Sequence, residues 1–175
     1  MNETMVDKFM GSYKENARVG LWKPFLTRFL LSILVVLPSI AQAQIKVDKA
    51  GDGWDLKIDS AIVLIKQIDT NYYNVLVEYC QRVEIWNEKF SSNEWKNNSG
   101  TILVSVTDIK LNSINNLAAV LVHESAHLRF RKWNRPISEE DEERFCYGYE
   151  LYFLNLIPNV EPWLLDHTFR LSRKK

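Results

Sequence analysis

The segment Leu117-Ala118-Ala119-Val120-Leu121-Val122-His123-Glu124-Ser125-Ala126-His127-Leu128-Arg129-Phe130 joins an apolar run to a short polar motif. Nearly every residue outside positions 123–127 is apolar or small, which predicts a helix that is buried on almost all sides. Positions i and i+4 of a helix lie on one face, one turn apart. The imidazoles of His123 and His127 are therefore expected to point to the same side of a buried helix.

Residues 123–127 have the pattern H-E-x-x-H and use two of the three histidines in the chain. Two imidazoles one helical turn apart can bind a single zinc ion, and Glu124 between them can act as general base on the water at that metal. Unpaired polar groups in a buried helix cost about 1–3 kcal/mol each, and a metal with its water would supply the partners. We predict a site for one zinc ion, with an accidental pattern on the helix as the alternative.

A catalytic zinc usually has three protein ligands and one position for water, so a third ligand is needed. The acidic start of the next helix is its expected source. We favour Glu143, then Glu142, then Glu139. Helical-wheel reasoning does not separate the first two, because Glu142 lies nearer the predicted core-facing stripe of Phe145, Tyr149, Tyr152 and Leu156. His167 is a weaker rival, and the acidic residues also complement the helix dipole.

The composition of the chain is typical of a soluble globular protein. The chain has 175 residues, of which 46% are hydrophobic and 25% are charged. The formal net charge is +0, so no basic field indicates nucleic acid as a partner. The oligomeric state cannot be inferred from the sequence.

The N-terminal region has the pattern of a secretory signal peptide. Lys23 and Arg28 precede the apolar run 29–37, and Ala41-Gln42-Ala43 matches a small-x-small cleavage site. We predict a signal peptide over residues 1–43 and a single domain over residues 44–175, exported to the periplasm or secreted. The alternative is a chain anchored in the membrane by this segment, although the apolar run is shorter than the ~20 residues that span a bilayer.

Periodicity and capping residues predict an α+β fold that is mainly helical. Asp59 or Ser60 could cap the first helix, Asn112 or Ser113 the motif helix, and Ser138 the acidic helix, where Ser138-Glu139-Glu140-Asp141 resembles a capping box. Helices are predicted over residues 61–68, 72–81, 139–156 and 162–171 in addition to the motif helix. Short strands are predicted over residues 83–86 and 101–106. Cys80 and Cys146 could form a disulfide or remain buried thiols, and the sequence leaves both open.

The motif His123-Glu124-Ser125-Ala126-His127, followed after a short hairpin by Glu143-Arg144-Phe145-Cys146, resembles the gluzincin clan of zinc metallopeptidases in a minimal single-domain form. The resemblance covers roughly residues 101–156. It implies a helical zincin-like domain with a small β-sheet packed on the motif helix. It also implies His123, His127 and Glu143 as zinc ligands and Glu124 as the catalytic base.

The function expected from these features is an exported zinc-dependent metallopeptidase that hydrolyses peptide or protein substrates. A second donor to the reaction's oxyanion would come from Tyr147, Tyr149, Tyr152 or His167 by residue type. The alternative is a non-catalytic binding or assembly protein on a metallopeptidase scaffold. Glu124 favours the enzyme, because a purely structural zinc site needs no base beside it.

Overall fold

Helices make up most of the structure, a computed structural model that describes residues 45–48, 52–86, 100–133 and 137–174. The helices within these residues are α1 (Trp54–Ile68), α2 (Thr70–Tyr79), α3 (Val106–Leu111), α4 (Ile114–Lys132), α5 (Glu139–Leu154) and α6 (Pro162–Ser172). The strands within the same residues are β1 (Lys46–Val47), β2 (Arg82–Trp86) and β3 (Thr101–Ser105). The predicted α+β class is confirmed.

The strands form one parallel sheet in the order β1-β2-β3. Val83 on the central strand pairs with Val47 on one side and with Ile102 on the other. Val83, Ile102 and Val104 are almost fully buried. The sheet therefore contributes one apolar face to the same core as the helices.

Helix α4 carries the motif through the centre of the core. Twelve of its residues are buried, including every residue from Leu121 to Leu128. It packs against α1, α2 and α5, and it also contacts β3. The predicted burial on almost all sides is confirmed, and the sheet lies beside the motif helix as predicted.

Serine hydroxyls begin the two helices that matter most for the site. Ser113 is the N-cap of α4, and its Oγ accepts a hydrogen bond from the Asn116 backbone N at 3.2 Å. Ser138 is the N-cap of α5, and its Oγ accepts from the Asp141 backbone N at 3.1 Å. Both predicted caps are confirmed, with Ser113 rather than Asn112 in the role.

Several predicted boundaries were wrong. Helix α2 runs from Thr70 to Tyr79 rather than over residues 72–81, and the predicted caps Asp59 and Ser60 lie inside α1. Helix α1 begins at Trp54 rather than at residue 61, after Gly53, whose φ of 75° places the N-cap in the left-handed region. Gly53 offers no side-chain cap, so the start of α1 had no capping residue to indicate it. Strand β3 ends at Ser105, which caps the unpredicted helix α3 by accepting from the Asp108 backbone N. Helix α5 ends at Leu154 instead of residue 156.

The predicted core-facing stripe of α5 was also wrong in its second half. Tyr152 and Leu156 are about half exposed. The buried residues of α5 are instead Cys146, Glu150, Phe153 and Leu154. Glu150 is a buried glutamate on the core face of this helix, so its carboxylate needs a polar partner.

The predicted signal peptide and its cleavage position lie outside the described residues. Within the described ranges, no helix has both the length and the apolar character that crossing a bilayer requires. Cys80 and Cys146 are both free thiols and both buried. Cys80 packs in the main core and Cys146 in a smaller cluster with Ala126 and Phe130, so the two are not bridged.

Candidate metal centre

Two histidines on one face of α4 form the base of the site. The Nε2 atoms of His123 and His127 lie 3.1 Å apart. Both residues are buried, with 7% and 4% of their surface exposed. The i, i+4 spacing on a regular helix is sufficient to produce this arrangement, as predicted from the motif.

Helix α5 brings Glu143 to the same point. One carboxylate oxygen of Glu143 lies 3.5 Å from His123 Nε2 and the other lies 3.3 Å from His127 Nε2. The two helices meet through Ala126 on α4 and Cys146 on α5, both essentially inaccessible to solvent. Small side chains at this contact let the helices approach closely enough for Glu143 to reach both imidazoles.

The second nitrogen of each imidazole is held by a different carboxylate. His123 Nδ1 lies 3.0 Å from Glu150 Oε2, and His127 Nδ1 lies 2.7 Å from Glu142 Oε1. The other oxygen of Glu150 accepts a hydrogen bond of 2.8 Å from the Thr168 hydroxyl on α6. Both histidines are therefore oriented by carboxylates on α5.

These contacts determine where the lone pairs point. A carboxylate can only accept, so each Nδ1 carries its hydrogen and donates it to Glu150 or Glu142. A neutral imidazole with hydrogen on Nδ1 has its lone pair on Nε2. The two Nε2 lone pairs and the Glu143 carboxylate then face one another, an arrangement that repels unless a cation lies between them. Carboxylate–histidine pairs of this kind are the usual outer support of a metal site.

The spacing of the three groups fits a tetrahedral ion. Ligands at ~2.0–2.1 Å from a tetrahedral zinc lie about 3.3 Å from one another. The Nε2–Nε2 distance is 3.1 Å, and the two Nε2–oxygen distances are 3.5 and 3.3 Å. The two nitrogens already have the spacing of two such ligands. The two oxygen distances involve different oxygens of Glu143, so its carboxylate would have to turn one oxygen toward the ion.

The carboxylates around His123 also favour a proton on its imidazole. Burial opposes a charge on His123, but hydrogen bonds to Glu143 and Glu150, together with the charges of Glu124 and Glu150, outweigh it and raise the pKa of His123 to about 9. Burial lowers the pKa of His127, and the charge on His123 lowers it further. The hydrogen bond to His123 lowers the pKa of Glu143. The surroundings of His123 therefore favour a positive charge at this point.

Glu124 is buried beside the ligand histidines, with 5% of its surface exposed. Burial raises the pKa of its carboxyl to about 7, against the opposing effect of His123. A positive ion nearby would lower this pKa, because it favours the carboxylate form. The protonation of Glu124 would therefore respond to an ion at the neighbouring histidines.

The remaining predicted residues have separate positions. Glu142 binds His127 Nδ1 instead of completing the ligand set, and it lies 3.5 Å from Arg131 Nε. Glu139 and His167 are exposed and belong to no metal-binding group among the described residues. The alternative ligand roles for these three are thus not supported.

Of the candidate oxyanion donors, Tyr147 contacts a histidine of the site, with its ring centroid 4.4 Å from that of His123. Burial and the neighbouring glutamates raise the pKa of Tyr147 to about 12, so its hydroxyl keeps its proton. Tyr149 packs against Tyr72, with ring centroids 4.7 Å apart, and Tyr152 is 48% exposed.

The sequence reasoning missed Glu150 and Thr168. Glu150 follows Glu143 by seven residues, two helical turns that return it to the same face, so this spacing could have revealed it. Thr168 lies on another helix and carries no local signal. Its position depends on how α6 packs against α5, which the sequence alone does not give.

His123, His127 and Glu143 form a group that could hold a metal ion, with ligand atoms all within 4.8 Å of one another. Within the described ranges, no other group of this kind is found. Comparison of the whole chain with protein-family models, with curated proteins and with solved structures gave no match.

Proposed function

We propose that this protein is a zinc-dependent metallopeptidase, similar in its site to the gluzincins. The observation that carries the proposal is the convergence of the two Nε2 atoms and the Glu143 carboxylate, while each Nδ1 is held by its own carboxylate. A structural salt-bridge network would need only one contact for each histidine. Here both nitrogens of both rings lie against a carboxylate, which is the pattern of oriented metal ligands.

Zinc suits this donor set better than other common ions. Two imidazole nitrogens and one carboxylate oxygen, with no cysteine sulfur, form the three-ligand set of hydrolytic zinc sites that leave a position for water. Sites for magnesium or calcium are built mainly from oxygen ligands. The side chain of Glu143 is 44% exposed, whereas those of His123 and His127 are 9% and 6% exposed. Water and substrate would therefore reach the site from the Glu143 side.

A zinc ion held there would polarise a peptide carbonyl and lower the pKa of a water molecule. Glu124 would take the proton from that water as it attacks and pass it to the departing amine. Glu150 and Glu142 would keep the two imidazoles in one orientation throughout the cycle. Tyr147, whose ring contacts that of His123, would be a candidate donor to the oxyanion.

The proposal is tested with purified protein and its Glu124→Gln variant. Both are expected to contain about one zinc ion per chain, because Glu124 is not a ligand. Wild-type protein should cleave members of a peptide library, with the products identified by mass spectrometry. Glu124→Gln should lose about 10²–10⁴-fold in kcat, which is the usual contribution of a general base.

The outcomes separate the two functional classes. Cleavage that persists in Glu124→Gln would reject the assigned mechanism. Zinc binding without cleavage of any library member would favour a binding or assembly protein on the same scaffold. A chain that binds no zinc would contradict the metallopeptidase and would leave a binding or assembly protein with a degenerate site.

We also propose that the chain is exported, on the basis of the charged, apolar and small-residue pattern at residues 23–43. N-terminal sequencing of protein from the exported fraction should begin at Gln44. Mature protein that begins at Met1 and sediments with membranes would indicate an uncleaved anchor instead.

A further inference from the structure

We propose that Thr168, on the C-terminal helix α6, is a positioning residue for the metal ligand His123 and acts through Glu150. The inference rests on the proposed metal site and extends it to a helix outside the motif. The contacts form a continuous chain: the Thr168 hydroxyl donates to Glu150 Oε1 at 2.8 Å, and His123 Nδ1 donates to Glu150 Oε2 at 3.0 Å.

The burial of all three residues indicates that this series of hydrogen bonds is not incidental. Thr168 has no exposed surface, Glu150 is 6% exposed and His123 is 7% exposed. Solvent is thus poorly placed to replace the hydroxyl if it is removed. Without that donor, the Glu150 carboxylate can rotate about its terminal torsion, and the direction of the bond to His123 is no longer fixed.

The two ligand histidines differ in this respect. His127 is oriented by Glu142, which lies on the first turn of α5 and is also close to Arg131 on α4. His123 is oriented by Glu150, whose second oxygen is held from α6. The orientation of His123 therefore involves a hydrogen bond donated from α6, whereas the contacts that orient His127 lie between α4 and α5.

The matched variants are Thr168→Val, Thr168→Ser and Leu164→Ala. Valine keeps the shape of threonine but lacks the hydroxyl, and serine keeps the hydroxyl. Leu164 is buried on the same helix at 2% exposure, and its truncation weakens packing but removes none of the hydrogen bonds between Thr168, Glu150 and His123. The three variants separate loss of the hydrogen bond from loss of helix packing.

Zinc affinity of the folded full-length chain is measured by competition with a chromophoric chelator. Thr168→Val should bind zinc about tenfold more weakly, the low end of the range for outer-shell partners, because Thr168 acts one step beyond Glu150. Thr168→Ser should bind like wild type. Leu164→Ala should lower Tm and leave the zinc affinity unchanged.

Proton exchange at His123 Nδ1, measured by NMR without metal, supplies a second readout. Thr168→Val should exchange this proton faster than wild type and Thr168→Ser. Equal zinc affinity and equal exchange in Thr168→Val and wild type would overturn the inference, as would an affinity loss in Leu164→Ala as large as that in Thr168→Val. If wild type binds no zinc, the proposed function fails, and the exchange rates still decide whether Thr168 orients His123.

Discussion

The two nitrogens of each imidazole in the candidate metal centre have different partners. Nδ1 of His123 and of His127 donates to a carboxylate, and this leaves both Nε2 atoms directed at Glu143. The tautomer is set by the surroundings, so the site is oriented before any ion arrives. Preorganisation of this kind lowers the cost of binding, because the ligands need not be ordered at that moment.

The motif residues of this site could be predicted from the sequence, because their geometry is local. Two histidines four positions apart on a helix share a face whatever the rest of the chain does. The choice between Glu142 and Glu143 was harder, since adjacent helical residues point in directions about 100° apart. Which of them meets Nε2 and which meets Nδ1 depends on the placement of α5 against α4, a tertiary property.

Substitution of the three candidate glutamates should give three different results. Glu143→Gln should weaken zinc binding most, because it removes a charged ligand. Glu142→Gln should weaken it about 10–100-fold, as expected for an outer-shell partner of His127. Glu139→Gln, at an exposed position, should bind zinc like wild type. Chelator competition measures all three, and a larger loss in Glu142→Gln than in Glu143→Gln would exchange their assigned roles.

Zinc affinity should also depend on pH in a defined direction. The pKa of His123 in the metal-free protein is raised to about 9, so at neutral pH the ion must displace a proton from it. Affinity should be nearly constant above pH 9 and fall about tenfold for each pH unit from pH 9 to about 7, because one proton then leaves His123 per ion bound. It should fall more steeply below pH 7, where Glu124, with a pKa of about 7, also carries a proton that the ion displaces. Isothermal titration in buffers of different ionisation enthalpy counts that proton. Binding at pH 7 without proton release would contradict the charge state described here.

Helices with strong caps and a clear apolar period were the elements that the sequence predicted best. The caps Ser113 and Ser138 lie where their hydroxyls satisfy the first backbone N–H groups of α4 and α5. Helix α3 was missed because the β-branched run that forms β3 continues through Val106, and only the Ser105–Asp108 cap marks the change. β1, with two residues, is too short to produce a period.

Removal of the cap on the motif helix should affect stability rather than metal binding. Ser113→Ala is expected to lower the free energy of unfolding by about 1 kcal/mol, because the Asn116 N–H loses its side-chain acceptor. Ser138→Ala on α5 provides the matched comparison at an exposed cap. Urea denaturation measures the stability, and zinc affinity should be unchanged for Ser113→Ala. A stability loss near zero would show that another group satisfies the Asn116 N–H.

The site connects three helices of the described structure. Helix α4 supplies His123 and His127, α5 supplies Glu143 with the two orienting carboxylates, and α6 supplies Thr168. The described helices around the site also share one apolar core that includes Leu117, Leu121 and Phe153. An ion that binds only the folded arrangement must therefore stabilise the packing of the helices against one another.

Metal removal should accordingly lower the melting temperature. At zinc concentrations about 100 times Kd, binding adds about 2.7 kcal/mol of stability, which corresponds to a rise of several degrees in Tm. Scanning calorimetry with zinc and with a chelator measures the difference. His127→Ala should show no such difference, whereas Glu124→Gln should respond like wild type. A chelator-independent Tm in wild type would mean that no ion binds at this site.

Zinc K-edge X-ray absorption of the loaded wild-type protein identifies the atoms bound to the ion. We expect two imidazole nitrogens and light oxygen scatterers at ~2.0–2.1 Å, with no sulfur. Glu143→Gln should alter the oxygen shell and keep both imidazoles. A sulfur contribution near ~2.3 Å, or a zinc ion with fewer than two imidazoles, would contradict the assignment of His123, His127 and Glu143 as its ligands.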